Sequence, residues 1–167
     1  MSSPECLSCL ALDGSRRISP GPPIHIGEFW QVEHAYPSKL LGVARSRPGR
    51  HATALRELRP EEFAELGSAL GLTVRALRET VGSAKEYVAC FAEQSGFEHV
   101  HFHVVPRAAD LPSELRGTNS FAFLKVSESE AVAPGAVRTF CEAVRAARFP
   151  PDAAAAQQSA AGDAGRP

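Results

Sequence analysis

The stretch His99-Val-His-Phe-His-Val-Val-Pro106 places three histidines at alternate positions of an apolar segment. Successive side chains of a β-strand point to opposite faces, so the histidines share one face while Val100, Phe102 and Val104 share the other. Each imidazole carries a donor and an acceptor that need partners when buried, so three in a row are poorly suited to core packing. The pattern predicts a strand with one packed face and one polar, functional face. The alternative is an exposed strand face or an incidental metal chelator.

The segments around this stretch predict an α+β domain of two layers with a mainly antiparallel sheet. A long helix is expected to begin at Pro60 and to end at Gly82, because apolar residues recur between them at spacings of three and four. A second amphipathic helix is expected over residues 134–149. Segments rich in β-branched and aromatic residues, bounded by turn residues, predict strands or further apolar runs at 29–34, 41–46, 86–92, 98–105 and 121–126.

Length and charge restrict the classes of function. The 167 residues suit one globular domain, which we place at residues 1–149, followed by a disordered Ala/Pro/Gly-rich tail at residues 150–167. The 18 basic and 19 acidic side chains give a net charge of −1, so no basic field favours a nucleic-acid polymer as partner. The chain contains no apolar run of membrane-spanning length and no signal-peptide pattern, so we expect a cytoplasmic protein without a membrane partner.

Four cysteines are too few for a secreted disulfide framework. Cys6 and Cys9 form a C-x-x-C pair, which indicates metal binding or redox chemistry, although the βαβ context of a redox motif is missing here. The alternative is a casual cysteine pair at a flexible terminus. Cys90 and Cys141 fall in apolar segments and are interpreted as small core residues.

The segment His99–Val105 resembles the signature of the histidine-triad family, in which histidines and apolar residues alternate as H-φ-H-φ-H-φ-φ. The preceding Phe91-Ala-Glu-Gln-Ser-Gly-Phe-Glu-His99 is similar to the family's approach to its site. The segment Leu41–His51, which ends in Pro48-Gly-Arg-His, is similar to the strand before the family's long helix. The resemblance covers about residues 6 to 126 and implies the two-layer histidine-triad fold, with a five-stranded, mainly antiparallel sheet, one long helix and one C-terminal helix.

The resemblance implies nucleotide chemistry at the triad. Family members attack the α-phosphorus of a nucleotide with the central histidine, which is His101 here, and water or another acceptor resolves the nucleotidyl-histidine. His103 would donate to the phosphate oxygens. Gln94 and Ser95, in the preceding turn, are candidates for further substrate contacts, with a plain polar turn as the alternative. Arg107 is a further candidate, with a solvated surface charge as its alternative.

The resemblance also implies a structural zinc ion. Relatives that carry an N-terminal C-x-x-C bind zinc through these two cysteines, a histidine after the early strand and the first triad histidine. The corresponding residues here are Cys6, Cys9, His51 and His99, and two thiolates with two imidazoles suit a closed tetrahedral zinc site.

Ribose recognition departs from the family pattern. Many members carry an aspartate or asparagine where Glu33-His34-Ala35 stands, and this chain has neither there. Glu33 or His34 could replace that residue as a substrate contact, although strand alternation allows only one of them to face the pocket.

Three functions remain open from the sequence. The first is a hydrolase that acts on nucleoside phosphoramidates or dinucleoside polyphosphates through His101. The second is a nucleotidylyltransferase with the same intermediate and a phosphate or metabolite acceptor, and the third is a nucleotide-binding protein without turnover. Relatives commonly join two sheets into one, so we expect a homodimer.

Overall fold

A computed structural model describes residues 6–124 and 126–148, and the tail predicted at 150–167 lies outside the described residues. Five strands form one sheet in the order β1-β2-β3-β5-β4, and every neighbouring pair is antiparallel. This architecture confirms the predicted α+β fold with a five-stranded antiparallel sheet. The helices and strands are α1 (Leu7–Leu12), β1 (His25–Ile26), β2 (Trp30–His34), β3 (Ala44–Pro48), α2 (Pro60–Val81), β4 (Lys85–Ala89), β5 (Phe102–Arg107) and α3 (Pro134–Arg148).

The long helix α2 begins and ends where its sequence predicts. Pro60 occupies the first turn, where its missing N–H needs no partner, and Glu62 accepts a hydrogen bond from the backbone N–H of Arg59 at 2.7 Å. The chain leaves the helix at Gly82, whose φ of 65° lies in the left-handed region that glycine adopts without strain. Local sequence signals therefore fix both ends of this helix.

Helices α2 and α3 cover one face of the sheet and form the main hydrophobic core with it. Alternate strand residues point into this core, and the helices contribute their apolar faces. Neither α2 nor α3 covers the opposite face of the sheet. Core residues include Trp30, Val32, Ala44, Val104, Leu66, Leu77, Val137 and Val144.

Three segments differ from the sequence-based expectation. The apolar run at 121–126 forms no strand in its described part, because residues Gly117–Leu124 form 3-10 turns, and Phe121 and Leu124 pack against Val43 and Val105 on the face of the sheet away from α2. The fifth strand is instead the short β1. Strand β5 starts at Phe102 rather than at residue 98, so His99 and His101 precede it. Strand β3 starts at Ala44 rather than at residue 41. None of the described helices is both long and apolar enough to cross a membrane.

Candidate functional site

The three triad histidines lie on the sheet face that the helices leave uncovered. Val100, Phe102 and Val104, which alternate with them, pack into or against the main core. His99 is fully buried, and only 7% of His101 is exposed. The apolar residues of the motif therefore pack in the core, and the histidines that alternate with them point away from it. Of the three histidines, only His103 belongs to strand β5.

The backbone holds His101 in one orientation. The Nδ1 atom of His101 lies 2.7 Å from the carbonyl oxygen of His99, and because a carbonyl only accepts, Nδ1 carries the proton and donates. The lone pair of the neutral ring is therefore on Nε2. That atom lies 3.1 Å from Nε2 of His103, so the N–H of His103 is assigned as the donor between the two rings.

Burial keeps both rings neutral near pH 7. Desolvation lowers the pKa of His101 below its ordinary value, although the hydrogen bond to the His99 carbonyl works in the opposite direction. Desolvation, with smaller effects of His101 and Arg45, lowers the pKa of His103 to about 3. His101 is thus a neutral imidazole with a lone pair, and His103 is a neutral donor beside it.

A cavity of about 490 Å³ opens next to these two histidines. Tyr36 and Pro37 line it where the chain leaves β2, and Gln94 lines it from the turn before the triad. A cavity of this size falls within the range that holds small-molecule ligands. Its remaining lining residues are Ala35, Arg45, Phe97, Leu124 and Val126.

The four residues expected to bind zinc come together beside the triad. One ligand atom from each of Cys6, Cys9, His51 and His99 lies within 4.8 Å of all the others. Nδ1 of His99 is 3.8 Å from Sγ of Cys6 and 3.5 Å from Sγ of Cys9, and Nδ1 of His51 is 3.4 Å from Sγ of Cys9. Two thiols and two imidazoles form the donor set of a closed tetrahedral zinc site, so the residues present fit that ion.

The backbone also prepares His99 for metal binding. Its Nε2–H donates to the carbonyl oxygen of Pro48 at 3.0 Å, which leaves Nδ1 unprotonated and directed at the cysteines. Burial lowers the pKa of His99 to about 4, so the ring is in the neutral form that a metal requires. Helix α1 reaches this position because the N–H of Leu7 donates to the carbonyl of Gly96 at 2.8 Å.

The predicted substrate contacts divide into those near the cavity and those away from it. Gln94 lines the cavity, and Ser95 follows it in an exposed turn. Arg107 lies at the far end of β5, where its side chain donates to the carbonyl of Ala108, and it does not line the cavity. Arg107 therefore lies apart from this cavity, and its role as a substrate contact stays a prediction.

Glu33 and His34, the residues expected at the ribose, do not line the cavity. His34 is fully buried on the core side of β2, where its Nε2 accepts a hydrogen bond from the N–H of Gly42 at 3.0 Å and its ring packs edge-on against Phe140. Burial lowers the pKa of His34 to about 4, and the residue is a neutral core histidine. Glu33 faces the other side, where arginines occupy its carboxylate.

Two arginines near the site were not found by sequence reasoning. Arg45 and Arg47 alternate on β3, as His101 and His103 do before and in β5, and both lie on the same face of the sheet as the triad. The signal that could have found them is the i, i+2 spacing of two charged residues in a strand whose antiparallel partner carries Glu33.

Comparisons with known proteins agree with this geometry at the level of the fold. No protein-family model and no curated protein matches the sequence. Among solved structures, a Hit-like protein involved in cell-cycle regulation from Bartonella henselae has a TM-score of 0.63 and 14% identity, with 88% of this chain and 99% of that chain covered.

Two further solved structures are similar to the same extent. A Zn-bound histidine triad family protein from Mycobacterium smegmatis has a TM-score of 0.57 and 21% identity, covering 85% of this chain and 96% of that one. A hypothetical histidine triad nucleotide-binding protein from Sulfolobus tokodaii has a TM-score of 0.63 and 16% identity, with 84% and 90% covered. The chain therefore has the histidine-triad fold, as its H-φ-H-φ-H-φ-φ motif predicts.

Proposed function

We propose that the protein is a nucleotide hydrolase that cleaves nucleoside phosphoramidates or dinucleoside polyphosphates through a nucleotidyl-histidine at His101. The observation that carries the proposal is the hydrogen bond from Nδ1 of His101 to the His99 carbonyl, at 2.7 Å. It leaves the lone pair on Nε2, next to His103 and at the surface of a ligand-sized cavity. A neutral, oriented imidazole of this kind is a competent nucleophile.

In the first step Nε2 of His101 forms a bond to the α-phosphorus, and the P–O or P–N bond to the leaving group breaks, with its electron pair leaving on that group, which takes up a proton from solvent. A water molecule then attacks the same phosphorus and returns a proton to solvent, the P–Nε2 bond breaks, and a nucleoside monophosphate is released. His101 regains its lone pair. The proton on Nδ1 stays in place throughout, held by the His99 carbonyl.

His103 is proposed to donate its Nε2–H to a phosphoryl oxygen. In the free protein that N–H is directed at Nε2 of His101, at 3.1 Å, so a phosphate bound at His101 meets a donor that is already in place. A fixed donor aimed at developing negative charge is worth about 2.7–4 kcal/mol in a transition state. Gln94, which lines the cavity, and its neighbour Ser95 are proposed to contact the phosphate or the bridging atom.

Cys6, Cys9, His51 and His99 are proposed to hold a structural zinc ion. Such an ion would supply folding free energy rather than reaction chemistry, because four protein ligands leave no open position on it. The chain's own contribution is to bring α1 against the turn that precedes the triad. The clustering of these four residues supports this role independently of any substrate.

A homodimer remains our proposal for the assembly. Its support is the edge strand β4, where Val88 is exposed, followed closely by the exposed Phe91. An unpaired strand edge with exposed apolar residues favours association with a second copy. Light scattering coupled to size exclusion chromatography would give the mass directly, and a monomer at micromolar concentration would refute the proposal.

The proposed function is tested by product chromatography with zinc-loaded protein and a panel of nucleoside phosphoramidates and dinucleoside polyphosphates. We expect one class to be cleaved to a nucleoside monophosphate, and His101→Asn to abolish the cleavage. If no compound is turned over while nucleotides still bind, the hydrolase is excluded in favour of a transferase or a binding protein. Adding candidate acceptors such as inorganic phosphate separates those two.

A further inference from the structure

Glu33, Arg45 and Arg47 form a buried charged cluster beside the triad. Their exposed fractions are 5%, 5% and 0%. Glu33 receives two hydrogen bonds from Arg47, from Nη1 at 2.8 Å and Nη2 at 2.9 Å, and Nη2 of Arg45 also contacts its Oε1. Burial alone would raise the pKa of Glu33, but the two arginines hold it below its ordinary value, so the carboxylate is ionised.

This cluster has one positive charge in excess. It contains two guanidinium groups and one carboxylate, and within residues 6–124 and 126–148 Glu33 is the only acidic residue within ion-pair distance of either arginine. A buried charge without a counter-ion lowers stability, so proteins rarely keep one without a use. An anionic ligand would supply the missing charge.

Of the two arginines, Arg45 is the one that places positive charge at the cavity. Arg47 donates to both oxygens of the Glu33 carboxylate. Arg45 shares one of those oxygens, lines the cavity with His101 and His103, and keeps a buried Nε without a hydrogen-bond partner. Although Nε of Arg47 also lacks a partner, Arg47 does not line the cavity.

The position of Arg45 is fixed. Its guanidinium is tethered to Glu33 and lies 5.7 Å from the ring centroid of Phe97. Strand pairing puts Arg45 opposite His103, so the backbones of these two residues lie one strand spacing apart, about 4.8 Å. Because Arg45 lines the same cavity as His101 and His103, a phosphate bound by Arg45 would share that cavity with the phosphate that His101 attacks. A guanidinium offers a planar fork of donors that matches phosphate oxygens.

We propose that Arg45 binds a second phosphate of the ligand, adjacent to the phosphate that His101 attacks, and thereby selects diphosphate-containing nucleotides. The proposal deepens the proposed function and rests on it for the position of the attacked phosphate. Arg45 is then a specificity-determining residue, and Glu33 and Arg47 hold it in place.

The test is calorimetric binding of adenosine and guanosine mono- and diphosphates to the zinc-loaded full chain carrying His101→Asn, which removes turnover from the measurement. We expect the diphosphate to bind at least about tenfold more tightly than the monophosphate. In Arg45→Gln the ratio should fall to near one while monophosphate affinity is kept, and Arg45→Lys should restore part of it. The matched control is Arg56→Gln, since the Arg56 side chain is 82% exposed, and it should leave the ratio unchanged.

Thermal unfolding separates this role from a structural one. Arg45→Gln leaves Glu33 paired with Arg47, one charge of each sign, so the unfolding midpoint should stay or rise. The proposal is overturned by a ratio near one in the protein that keeps Arg45, by equal weakening of both ligands in Arg45→Gln, or by a marked loss of its stability. If the unmodified protein showed no turnover, the proposed hydrolase function would be refuted. The affinity ratio tests the role of Arg45 separately, because it is measured without turnover.

Discussion

The backbone carbonyl of His99 accepts the Nδ1–H of His101 at 2.7 Å, while the His99 side chain faces Cys6 and Cys9. One residue thus belongs both to the cysteine–histidine cluster and to the hydrogen bond that orients the proposed nucleophile. Any change that displaces His99 in the cluster also displaces its carbonyl. The integrity of the cluster and the orientation of His101 are therefore physically linked.

The first prediction concerns the cluster. We expect Cys9→Ser to bind no zinc, to lower the unfolding midpoint and to reduce turnover, because Cys9 is a proposed zinc ligand and the proposed site anchors α1. Elemental analysis for zinc, thermal unfolding and the rate of nucleotide cleavage measure the three effects. Cys141→Ala is the matched control, since Cys141 lies in the main core, outside the cluster, and should keep stoichiometric zinc. Full zinc content in Cys9→Ser would contradict the assignment.

The second prediction concerns the covalent intermediate. A base-quenched reaction should show a protein mass increased by one nucleotidyl group, because a P–N bond to histidine survives alkali. His101→Asn should abolish the adduct and reduce kcat by at least about a thousandfold, because the attacking atom is gone. The control variant His25→Asn, on the edge strand β1, should still form the adduct and should keep its kcat. An adduct that persists in His101→Asn would place the nucleophile elsewhere.

The third prediction concerns His34 as a core residue. Its pKa of about 4 in the folded protein lies below the ordinary 6.5, so the unfolded chain takes up a proton first as the pH falls. Its contribution to stability is complete above pH 6.5 and is lost between pH 6.5 and 4, by at most about 1.4 kcal/mol per pH unit. Urea unfolding of His34→Gln should show a smaller dependence on pH over this range and, at pH 7, a stability lower by about 1–3 kcal/mol.

The substrate kinetics of His34→Gln provide a second test of His34 as a core residue. Because His34 accepts the Gly42 N–H on the core side of β2, KM should stay unchanged in folded protein. If the variant were fully stable but its KM were raised severalfold, His34 would instead be a contact to the substrate ribose.

Features encoded by local periodicity could be predicted from the sequence, whereas those that need strand register could not. The limits of α2 follow from Pro60, Gly82 and the spacing of apolar residues between them, and the shared face of the histidines follows from alternation. The cysteine–histidine cluster joins Cys9 to a residue 42 positions away, so only the resemblance to a family could assemble it. No spacing rule covers such a distance.

The charged cluster shows the same limit. Glu33 meets Arg45 only because β2 and β3 pair in one register, and a shift by one residue would turn Arg45 into the core. Without that register, Glu33 and Arg45 would be expected at the surface, because charged side chains are mostly exposed. The apolar residues near Phe121 mislead for another reason, since a short apolar run fits a strand and a packed helical turn equally well.

The final prediction concerns Glu62, which connects the start of α2 to the loop that carries His51. Its carboxylate is 1% exposed and accepts from Nε and Nη2 of Arg50, each at 2.7 Å, and from the backbone N–H of Arg59 at 2.7 Å. Although burial alone would raise the pKa of Glu62, these donors lower it to about 2. The stabilisation is therefore present above pH 4.5 and is lost as the pH falls toward 2.

Glu62→Gln should lower the free energy of unfolding at pH 7 by about 1–3 kcal/mol, because it removes the charged acceptor of the partly exposed Arg50. Since Arg50 precedes His51, the variant should also bind zinc more weakly, which competition with a chelator measures. Glu61→Gln is the matched control. Its carboxylate is half exposed and lies 3.5 Å from the Arg59 guanidinium, so the variant should change stability by less than about 1 kcal/mol. Equal stabilities for the two variants at pH 7 would show that the Glu62 contacts do not hold this loop.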